Sequence, residues 1–387
     1  MDLLVFSPYY PPHVGGLESH SDEFNKHLAK SGVTITVFTP RLPKTAPERE
    51  TRHENVRVIR FPAFELFPNY PLPRFWQKTF WHMWQRLLKE NSFGLVISRT
   101  RFFFPSLMAW RYARRKKLPW VHIEHGSDFA HFNSPLKTAL GKLYDYTIGA
   151  SVLRHSDYTI ANSCASAAFV RRLAKRNDCQ VVYRGVEYDT LLATPANTTM
   201  KTAHPGKTII GYIGRLIDGK GITDLIVALS SLIRDDYICL IIGDGPENEN
   251  LTRLVNQKKL QKKVFFLGRQ NFPEAMALLK TCDIFVNPSY TEGIPTTVIE
   301  AALCHKAIIA TNVGGTNEII SGKNDGFLIP PKDAHALQEK LTLLLDDREL
   351  RETLGRNAFQ AVENKFDWNH TAKQYQKIFQ DILSTNP

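Results

Sequence analysis

The sequence contains few cysteines, and it lacks several segments that would assign a chain to a common class. Its five cysteines are odd in number and include no C-x-x-C pair, which argues against a disulfide framework or a zinc cage and favours a reducing compartment. No apolar run approaches the roughly 20 residues that span a bilayer. The opening residues, MDLLVFSPYY, have no basic segment and predict a buried strand rather than a signal peptide.

Two common nucleotide-binding motifs are also missing. Glycine-rich segments follow three of the predicted strands, namely HVGGLES, GRLIDGKG and GDGPEN. None of them reads G-x-G-x-x-G, and G-x-x-x-x-G-K-[ST] does not occur. A nicotinamide dehydrogenase and a P-loop ATPase are therefore disfavoured.

The chain is polar and basic, and it is long enough for two domains. It has 387 residues, of which 43% are hydrophobic and 22% charged, as is typical of globular proteins. The net charge of +11 is uneven, because residues 1–185 hold 27 Lys and Arg against 14 Asp and Glu, while the remainder holds 22 against 24. The first half is expected to meet an anionic partner: nucleic acid, a phosphate-bearing substrate or an anionic membrane leaflet.

Short apolar strands alternate with helical patterns along the whole chain. The first series of predicted strands covers residues 2–7, 34–40, 56–61, 94–99, 119–125 and 157–163. The second series covers residues 207–215, 237–245, 264–269, 283–289, 307–313 and 327–330. Near-continuous apolar strands with helices between them predict two parallel, doubly wound sheets, joined near residues 187–206 and followed by an amphipathic helix at 365–383.

Two glutamates mark the predicted site. Glu292 follows a predicted strand, and Glu300 lies one turn inside the helix that Thr296 or Thr297 begins. Gly293 lets the backbone approach a ligand, and free N–H groups at the start of a helix attract a phosphate. Because the two carboxylates can accept hydrogen bonds from sugar hydroxyls and from a ribose diol, this segment predicts a site for a nucleotide sugar.

The cations for a diphosphate come from the segment GRLIDGKG. Arg215 and Lys220 follow a predicted strand, and three glycines around them give the backbone freedom. A diphosphate leaving group gains negative charge as the glycosidic bond breaks, and such cations stabilise that charge. Gly15 and Gly16 can bring backbone N–H groups to the same phosphates.

On these motifs the chain resembles the retaining glycosyltransferases of family 4. The motifs occur in order along nearly the whole chain, as PPHVGG (11–16), HGSD (125–128), GYIGRLIDGKG (211–221), GDGP (243–246), the E-x7-E pair and GGTNEII (314–320). The resemblance implies the GT-B architecture, two facing Rossmann-like doubly wound domains with a C-terminal helix that packs back on the N-terminal domain. It implies an acceptor-binding domain over 1–187, a nucleotide-sugar-binding domain over 188–366 and the returning helix over 367–387.

The resemblance also assigns roles to individual residues. Glu292 would contact the donor sugar and Glu300 the ribose. The donor-binding candidates together are Gly15, Gly16, Arg215, Lys220, Gly243, Gly245, Glu292, Gly293, Ile294, Pro295, Thr296, Thr297 and Glu300. The catalytic candidates are Arg215, Lys220, Glu292 and His125. The acceptor-side candidates are Gly16, His125, Asp128 and Arg184. No metal or other cofactor is implied, because the two cations would replace one, and retention is commonly explained by same-face attack with the leaving phosphate as base.

One position departs from the family pattern. Members often carry Asn-Gly-Val-Asp after the strand that enters the linker, whereas Arg184-Gly185-Val186-Glu187 stands here. The turn glycine is kept, the role of the asparagine side chain is open, and Arg184 would add positive charge near the site.

Structural roles compete with these functional ones. Glu300 alone can be a solvated helix residue, and Lys220 alone can be a surface lysine. His125 can be a structural histidine, since HIEH (122–125) ends a strand and is not a metal-binding helix. Backbone hydrogen bonds, a tight turn or a helix cap are the alternatives for Glu124, Asp128, Gly243, Gly245 and Glu318.

The N-terminal half is aromatic as well as basic. Residues 61–104 hold 13 aromatic side chains, and a helical stripe within 74–90 is formed by Trp76, Phe80, Trp84 and Leu87. The segment RYARRKKLPW (111–120) adds five cations. Tryptophan and basic residues together suit an anionic membrane surface, whereas core packing and a solvated loop are the alternatives. Nucleic acid is disfavoured as a partner, because no reader module is present.

We therefore expect a metal-independent, retaining glycosyltransferase. It would move a hexosyl or N-acetylhexosaminyl group from a UDP- or GDP-linked sugar to a lipid-linked glycan or phospholipid, in envelope glycan or glycolipid synthesis. The expected location is cytoplasmic and peripheral, on the inner face of the membrane. A non-catalytic sugar-nucleotide-binding subunit is the alternative, disfavoured by the complete set Arg215, Lys220, Glu292 and Glu300, and a glycan phosphorylase is a third possibility.

Overall fold

The chain forms two compact units. The computed structural model describes residues 1–13, 15–67, 70–90, 92–129 and 134–385. Unit 1 consists of Met1–Gly185 and Trp368–Pro387, and unit 2 consists of Val186–Asp367. The sequence predicted these boundaries at 187/188 and 366/367.

Unit 1 is built on a mainly parallel sheet. The strands of unit 1 are β1 (Asp2–Phe6), β2 (Thr34–Pro40), β3 (Arg49–Thr51), β4 (Val56–Phe61), β5 (Ala63–Phe67), β6 (Tyr70–Pro73), β7 (Leu95–Arg99), β8 (Trp120–Glu124), β9 (Tyr158–Ala161) and β10 (Gln180–Val181). The sheet has the order β10-β9-β8-β7-β1-β2-β4-β3, and β3 alone pairs antiparallel within it. β5 and β6 form a separate antiparallel hairpin.

Helices cover both faces of this sheet. They are α1 (Gly16–Lys30), α2 (Lys78–Lys89), α3 (Phe104–Lys116), α4 (Pro135–Tyr144), α5 (Ala150–His155), α6 (Cys164–Ala174) and the C-terminal helix α15 (Trp368–Thr385). A π-helical turn, Asp145–Gly149, joins α4 to α5. The central strands β1, β7 and β8 bury almost every residue, as expected for a parallel sheet that is covered on both faces.

Unit 2 is a fully parallel, six-stranded Rossmann-like unit. Its strands are β11 (Thr208–Ile213), β12 (Tyr237–Ile242), β13 (Val264–Phe266), β14 (Ile284–Asn287), β15 (Ala307–Thr311) and β16 (Phe327–Ile329), in the order β13-β12-β11-β14-β15-β16. Its helices are α7 (Tyr188–Ala193), α8 (Thr199–Ala203), α9 (Ile222–Ser230), α10 (Asn248–Gln257), α11 (Phe272–Thr281), α12 (Thr296–Leu303), α13 (Ala334–Asp346) and α14 (Arg348–Val362). The strand order reverses between β11 and β14, and ligands of such sheets bind at the carboxyl ends beside that point.

The C-terminal helix packs on unit 1, as the fold-class prediction requires. Its buried stripe joins the core cluster of unit 1 through Trp368, Ala372, Tyr375, Phe379 and Ile382. The rings of Tyr375 and Phe24 on α1 meet edge to face, with centroids 4.8 Å apart. The spacing of these residues at three or four positions explains why one face of α15 is buried.

The predicted aromatic stripe of the N-terminal half is core packing. Phe80, Trp84 and Leu87 on α2 are 3%, 6% and 2% exposed and pack against the sheet. The prediction of a membrane contact through these three side chains is therefore wrong, while Trp76 is 67% exposed. The basic run at 111–117 lies on the last turns of α3 and its C-cap. Across the described ranges, none of the helices combines the length and apolar character that crossing a membrane requires.

Gly185 is a position where unit 1 has no room for a side chain. A Cβ atom there would overlap the backbone N and Cα atoms of Trp368, where α15 begins. We expect Gly185→Ala to displace the start of α15 and to lower the free energy of unfolding by about 1–3 kcal/mol. Urea unfolding measures this loss. At Gly16 an added Cβ meets no atom within 4 Å, so Gly16→Ala is the control, and equal losses in both variants would contradict the packing described.

Candidate active site

Two of the three predicted catalytic side chains of unit 2, Lys220 and Glu292, meet at the carboxyl edge of its sheet. Lys220 lies in the loop after β11, and Glu292 lies in the loop after β14, the neighbouring strand. The Nζ atom of Lys220 donates to Oε1 of Glu292 at 2.6 Å. Both side chains are partly exposed, so a ligand that enters this edge can reach the cation and the carboxylate together.

Glycines let the loops of this edge touch through their backbones. Gly221 has φ 65°, and a Cβ atom there would overlap the carbonyl oxygen of Pro288. Gly314 has φ 54°, and its Cβ atom would overlap the carbonyl oxygen of Glu292. Hydrogen bonds complete these contacts, from the N–H of Tyr290 to Gly219 O at 2.8 Å and from the N–H of Gly315 to Gly293 O at 2.7 Å. The loop that carries Glu292 is thus clamped on both sides.

Gly243 and Gly245, the two predicted glycines in the loop after β12, likewise allow the backbones of two loops to touch. A Cβ atom at Gly243 would overlap the carbonyl oxygen of Gly214, and one at Gly245 would overlap the carbonyl oxygen of Leu216. The loops after β11 and β12 therefore lie against each other, next to Arg215. This contact is more than a local turn, because it joins two loops through positions that tolerate no side chain.

Tyr212 connects Arg215 to the lysine–glutamate pair. Its buried hydroxyl donates to the carbonyl oxygen of Arg215 at 3.2 Å, while the Arg215 side chain is exposed. Burial and the nearby Glu292 carboxylate raise the pKa of Tyr212 well above its usual range. Tyr212 therefore stays protonated and orients the loop that carries both predicted cations.

The helix that follows Glu292 begins where the sequence predicted. Thr296 is its first residue, and the N-cap residue Pro295 makes no side-chain capping hydrogen bond. Ile294 is buried and anchors the loop, and Thr297 is half-buried. Glu300 is 9% exposed, which is not the environment of a solvated helix position.

His125 directly follows β8 in unit 1, and a buried ionic network around Glu124 holds its backbone. Glu124 is fully buried, and its carboxylate accepts from the N–H groups of His125 at 3.0 Å and Gly126 at 2.7 Å. Arg101 pairs with Glu124 at 3.1 Å and with the buried Asp145 at 2.9 Å. Burial opposes the ionisation of Glu124, but the Arg101 guanidinium and these hydrogen bonds hold its pKa below the usual range. Glu124 thus bonds to the backbone, as the structural alternative predicted, and it fixes the position of His125.

His125 presents one unused nitrogen. The side-chain amide of Asn162 lies 3.4 Å from Nδ1, which leaves the proton on Nε2. The Nε2 atom is buried and has no hydrogen-bond partner in the described ranges, although part of the ring is exposed. Burial and the nearby Arg99 guanidinium lower the pKa of His125 to about 3. The ring is therefore neutral at physiological pH and can donate one hydrogen bond to a ligand.

Arg99 is a neighbour of His125 that the sequence did not single out. It is fully buried, its Nη1 atom lies 3.1 Å from Nδ1 of His20, and its guanidinium lies 4.4 Å from the centroid of Phe24. The rings of His20 and His125 have centroids 4.6 Å apart. Burial lowers the pKa of Arg99 to about 10, so it remains charged. Arg184 is half-buried, and its positive charge also lowers the pKa of His20 and of His125. The departure from the family pattern at this position predicted such an added positive charge.

The remaining predicted residues lie at the surface or in turns. Gly15 is the N-cap of α1, and Gly16 is its exposed first residue. Asp128 is exposed and pairs with Arg172 at 3.0 Å. Glu318 ends a short 3-10 helix, where its carbonyl oxygen accepts from Lys365 at 2.7 Å. Asp128 also joins the buried network around His125, because its carbonyl oxygen accepts from Nη2 of Arg101 at 3.1 Å.

Comparison with known proteins identifies the family. Residues 14–190 match Glycosyltransferase Family 4, and residues 197–361 match Glycosyl transferases group 1. The uncharacterized glycosyltransferase MJ1069 of Methanocaldococcus jannaschii is 34% identical over 390 residues, which cover 99% of each chain. Together with the fold and the site, these matches define a glycosyltransferase of the GT-B class. The chain belongs to glycosyltransferase family 4.

Two further relatives carry named activities. The N,N'-diacetylbacillosaminyl-diphospho-undecaprenol alpha-1,3-N-acetylgalactosaminyltransferase of Campylobacter jejuni is 34% identical over 177 residues, 46% of each chain. The phosphatidylinositol N-acetylglucosaminyltransferase GPI3 subunit of Saccharomyces cerevisiae is 24% identical over 397 residues, which cover 100% of this chain and 84% of the relative.

Solved structures agree on the fold. Sucrose-phosphate synthase from Thermosynechococcus elongatus has a TM-score of 0.83 at 21% identity and covers 100% of both chains. Anabaena Alr3699/HepE in complex with UDP-glucose has a TM-score of 0.77 at 18% identity and covers 98% of this chain and 100% of that one.

The neutral state of His125 can be measured directly. We expect its imidazole resonances to stay unchanged from pH 8 to pH 5, because the folded pKa is about 3. In the unfolded chain the ring binds a proton near pH 6.5, so acidification from there towards pH 3 favours the unfolded state and lowers stability. NMR of imidazole-labelled protein tests this, with His125→Gln assigning the signal. A His125 midpoint near pH 6.5 would contradict the described environment.

Proposed function

We propose that this glycosyltransferase moves a hexosyl or N-acetylhexosaminyl group from a nucleotide diphosphate sugar with retention of configuration. The observation that carries the proposal is the 2.6 Å contact between Lys220 and Glu292 at the strand ends, beside the N-terminus of α12. That edge presents a cation, helix N–H groups and two carboxylates within one set of clamped loops. A diphosphate, a sugar and a ribose require these groups.

Each residue then has a step to perform. Lys220 and Arg215 would neutralise the diphosphate as the glycosidic bond breaks, and the N-terminus of α12 would add to this stabilisation. Glu292 would exchange its contact with Lys220 for sugar hydroxyls, and Glu300 would accept from the ribose. His125, neutral and with a proton on Nε2, would donate to a sugar oxygen without adding charge.

The proposed acceptor is a lipid-linked glycan or a phospholipid. The names of two relatives support it, since one contains diphospho-undecaprenol and the other phosphatidylinositol. The positive charge of residues 1–185 supports the same class of acceptor, because both kinds of lipid carry phosphate. A peripheral position on the inner face of the membrane follows from this proposal.

The competing function is a sugar-nucleotide-binding subunit that supports a partner transferase. It is favoured by one observation, that the yeast relative is named as a subunit. Donor hydrolysis by the purified chain separates the two functions, because a binding subunit would bind the donor without cleaving it.

Lys220→Met tests the donor site. A panel of UDP-glucose, UDP-N-acetylglucosamine and GDP-mannose first identifies the donor, since a ligand at 100 times its Kd stabilises the folded state by about 2.7 kcal/mol. With that donor, we expect Lys220→Met to lower the rate of hydrolysis by about 10²–10³-fold, because the leaving group loses a preorganised cation. Lys262→Met is the control, because this exposed lysine precedes β13 at the opposite edge of the sheet. Hydrolysis within twofold of wild type in Lys220→Met would refute the assignment.

Metal independence and retention are tested together. We expect hydrolysis of the donor to continue at an unchanged rate in excess EDTA, because Arg215 and Lys220 replace a divalent cation. NMR of the first sugar released should show the anomeric configuration of the donor. If EDTA abolished the activity and magnesium restored it, metal independence would be refuted. Release of the inverted anomer would refute retention.

A further inference from the structure

The helix α4 leaves its apolar face uncovered. Leu136, Leu140 and Leu143 recur at helical spacing along it and are 70%, 57% and 60% exposed. Gly141 is the one residue of this helix that is buried. Tyr146, in the π-helical turn that follows, is also 60% exposed. A surface helix normally turns such a stripe toward a core, and an exposed apolar stripe is typical of an interaction surface.

A second exposed apolar group lies on neighbouring elements of unit 1. Trp76 before α2 is 67% exposed, and Leu66 on β5 is 59% exposed. Trp76 packs against Phe64 of β5, with centroids 5.1 Å apart. The hairpin in turn meets α4, because the rings of Tyr70 and Tyr144 have centroids 6.4 Å apart. The helix α4 and the β5–β6 hairpin are therefore neighbouring elements of unit 1.

This concentration is specific to unit 1. In the described ranges, unit 1 holds nine of the twelve large apolar side chains that are exposed, and unit 2 holds Leu192, Ile233 and Leu343. Those three lie on or beside separate helices, whereas the leucines of α4 lie in one row. Isolated exposed apolar residues need no partner, but a row of them beside exposed tryptophan does.

The charge of α4 identifies the kind of partner. Lys137 and Lys142 are exposed on the helix, and the segment Pro135–Tyr144 contains no acidic residue. Asp145, the next residue, is buried and paired with Arg101. A second copy of the chain on this face would bring lysines against lysines, whereas anionic lipid headgroups would pair with them. Exposed leucines and lysines on one helix, with an exposed tryptophan on a neighbouring element, are the residue types that favour a bilayer interface.

We propose that α4 and the β5–β6 hairpin form a docking surface for a bilayer that contains anionic phospholipid. The leucines and Trp76 enter the boundary between headgroups and acyl chains, and Lys137 and Lys142 contact lipid phosphates. The inference deepens the proposed function, since it names the surface of unit 1 through which a lipid-borne acceptor is met. It replaces the stripe on α2, whose side chains fill the core.

The test compares three variants of the full chain on vesicles. The variant Leu136→Ser/Leu140→Ser/Leu143→Ser removes the apolar stripe, and the variant Lys137→Gln/Lys142→Gln removes the charge. The control variant, matched in the number of exposed apolar residues, is Leu192→Ser/Ile233→Ser/Leu343→Ser in unit 2. Co-sedimentation with phosphatidylcholine vesicles, with and without phosphatidylglycerol, measures the partition coefficient of each protein.

Wild type and the two variants of α4 are expected to differ in how strongly they bind vesicles. Wild type and the control variant should bind vesicles that contain phosphatidylglycerol, and binding should weaken with salt. The leucine variant should bind about tenfold or more weakly, because it loses the inserted apolar area. The lysine variant should lose about fivefold for each lysine on the anionic vesicles and little on neutral ones. Thermal unfolding should be unchanged in the leucine variant, since its side chains are exposed.

Three outcomes would overturn the inference. They are equal binding of wild type and the leucine variant, absence of binding by wild type, and a wild-type dimer in sedimentation velocity that the leucine variant converts to monomer. Donor hydrolysis without vesicles should be equal in wild type and the leucine variant. If wild type hydrolyses no donor but binds vesicles through α4, the proposed function fails while the docking surface stands.

Discussion

Glycines that tolerate no side chain hold the loops at the carboxyl edge of the unit 2 sheet in place. Gly221, Gly243 and Gly314 each bring a backbone carbonyl of the next loop closer than a Cβ atom would allow. Loops after four neighbouring strands are thereby fixed against one another, and the 2.6 Å contact between Lys220 and Glu292 depends on that fixation. A cation and a carboxylate held in this way are already oriented before any ligand arrives, which reduces the cost of ordering them on binding.

Unit 1 positions its candidate residues by a different means, buried charge. Arg101 lies between Glu124 and Asp145, and all three are almost fully buried. Removing one member of such a group leaves another charge in a medium of low dielectric constant, which is strongly destabilising. The network therefore gives His125 a fixed backbone, while burial and the nearby Arg99 guanidinium lower the pKa of the histidine and keep it neutral. The Lys220–Glu292 pair is partly exposed and ionic, whereas His125 is a half-buried, neutral ring near the buried Arg99.

The sequence patterns predicted the strands accurately, but they did not predict the contacts between residues that are distant in sequence. β2 and β4 have the predicted bounds, because parallel strands buried on both faces are continuous apolar runs. The β5–β6 hairpin was not predicted, since Pro71 and Pro73 argue against a strand. Strand order explains why Lys220 and Glu292 share an edge, but their direct pairing across 72 positions has no local signal. The same holds for Arg101, whose partners come from β8 and from the end of α4.

The return of α15 to unit 1 has a consequence for biosynthesis. The side chains of Tyr375 and Phe379 complete the cover over α1, yet they are synthesised only after the whole of unit 2. Unit 2 is continuous in sequence and can finish folding first. Until α15 has been synthesised, the N-terminal half has an uncovered apolar face, and this face makes it a substrate for chaperones during translation. Order of synthesis and order of completion are thus reversed in this chain.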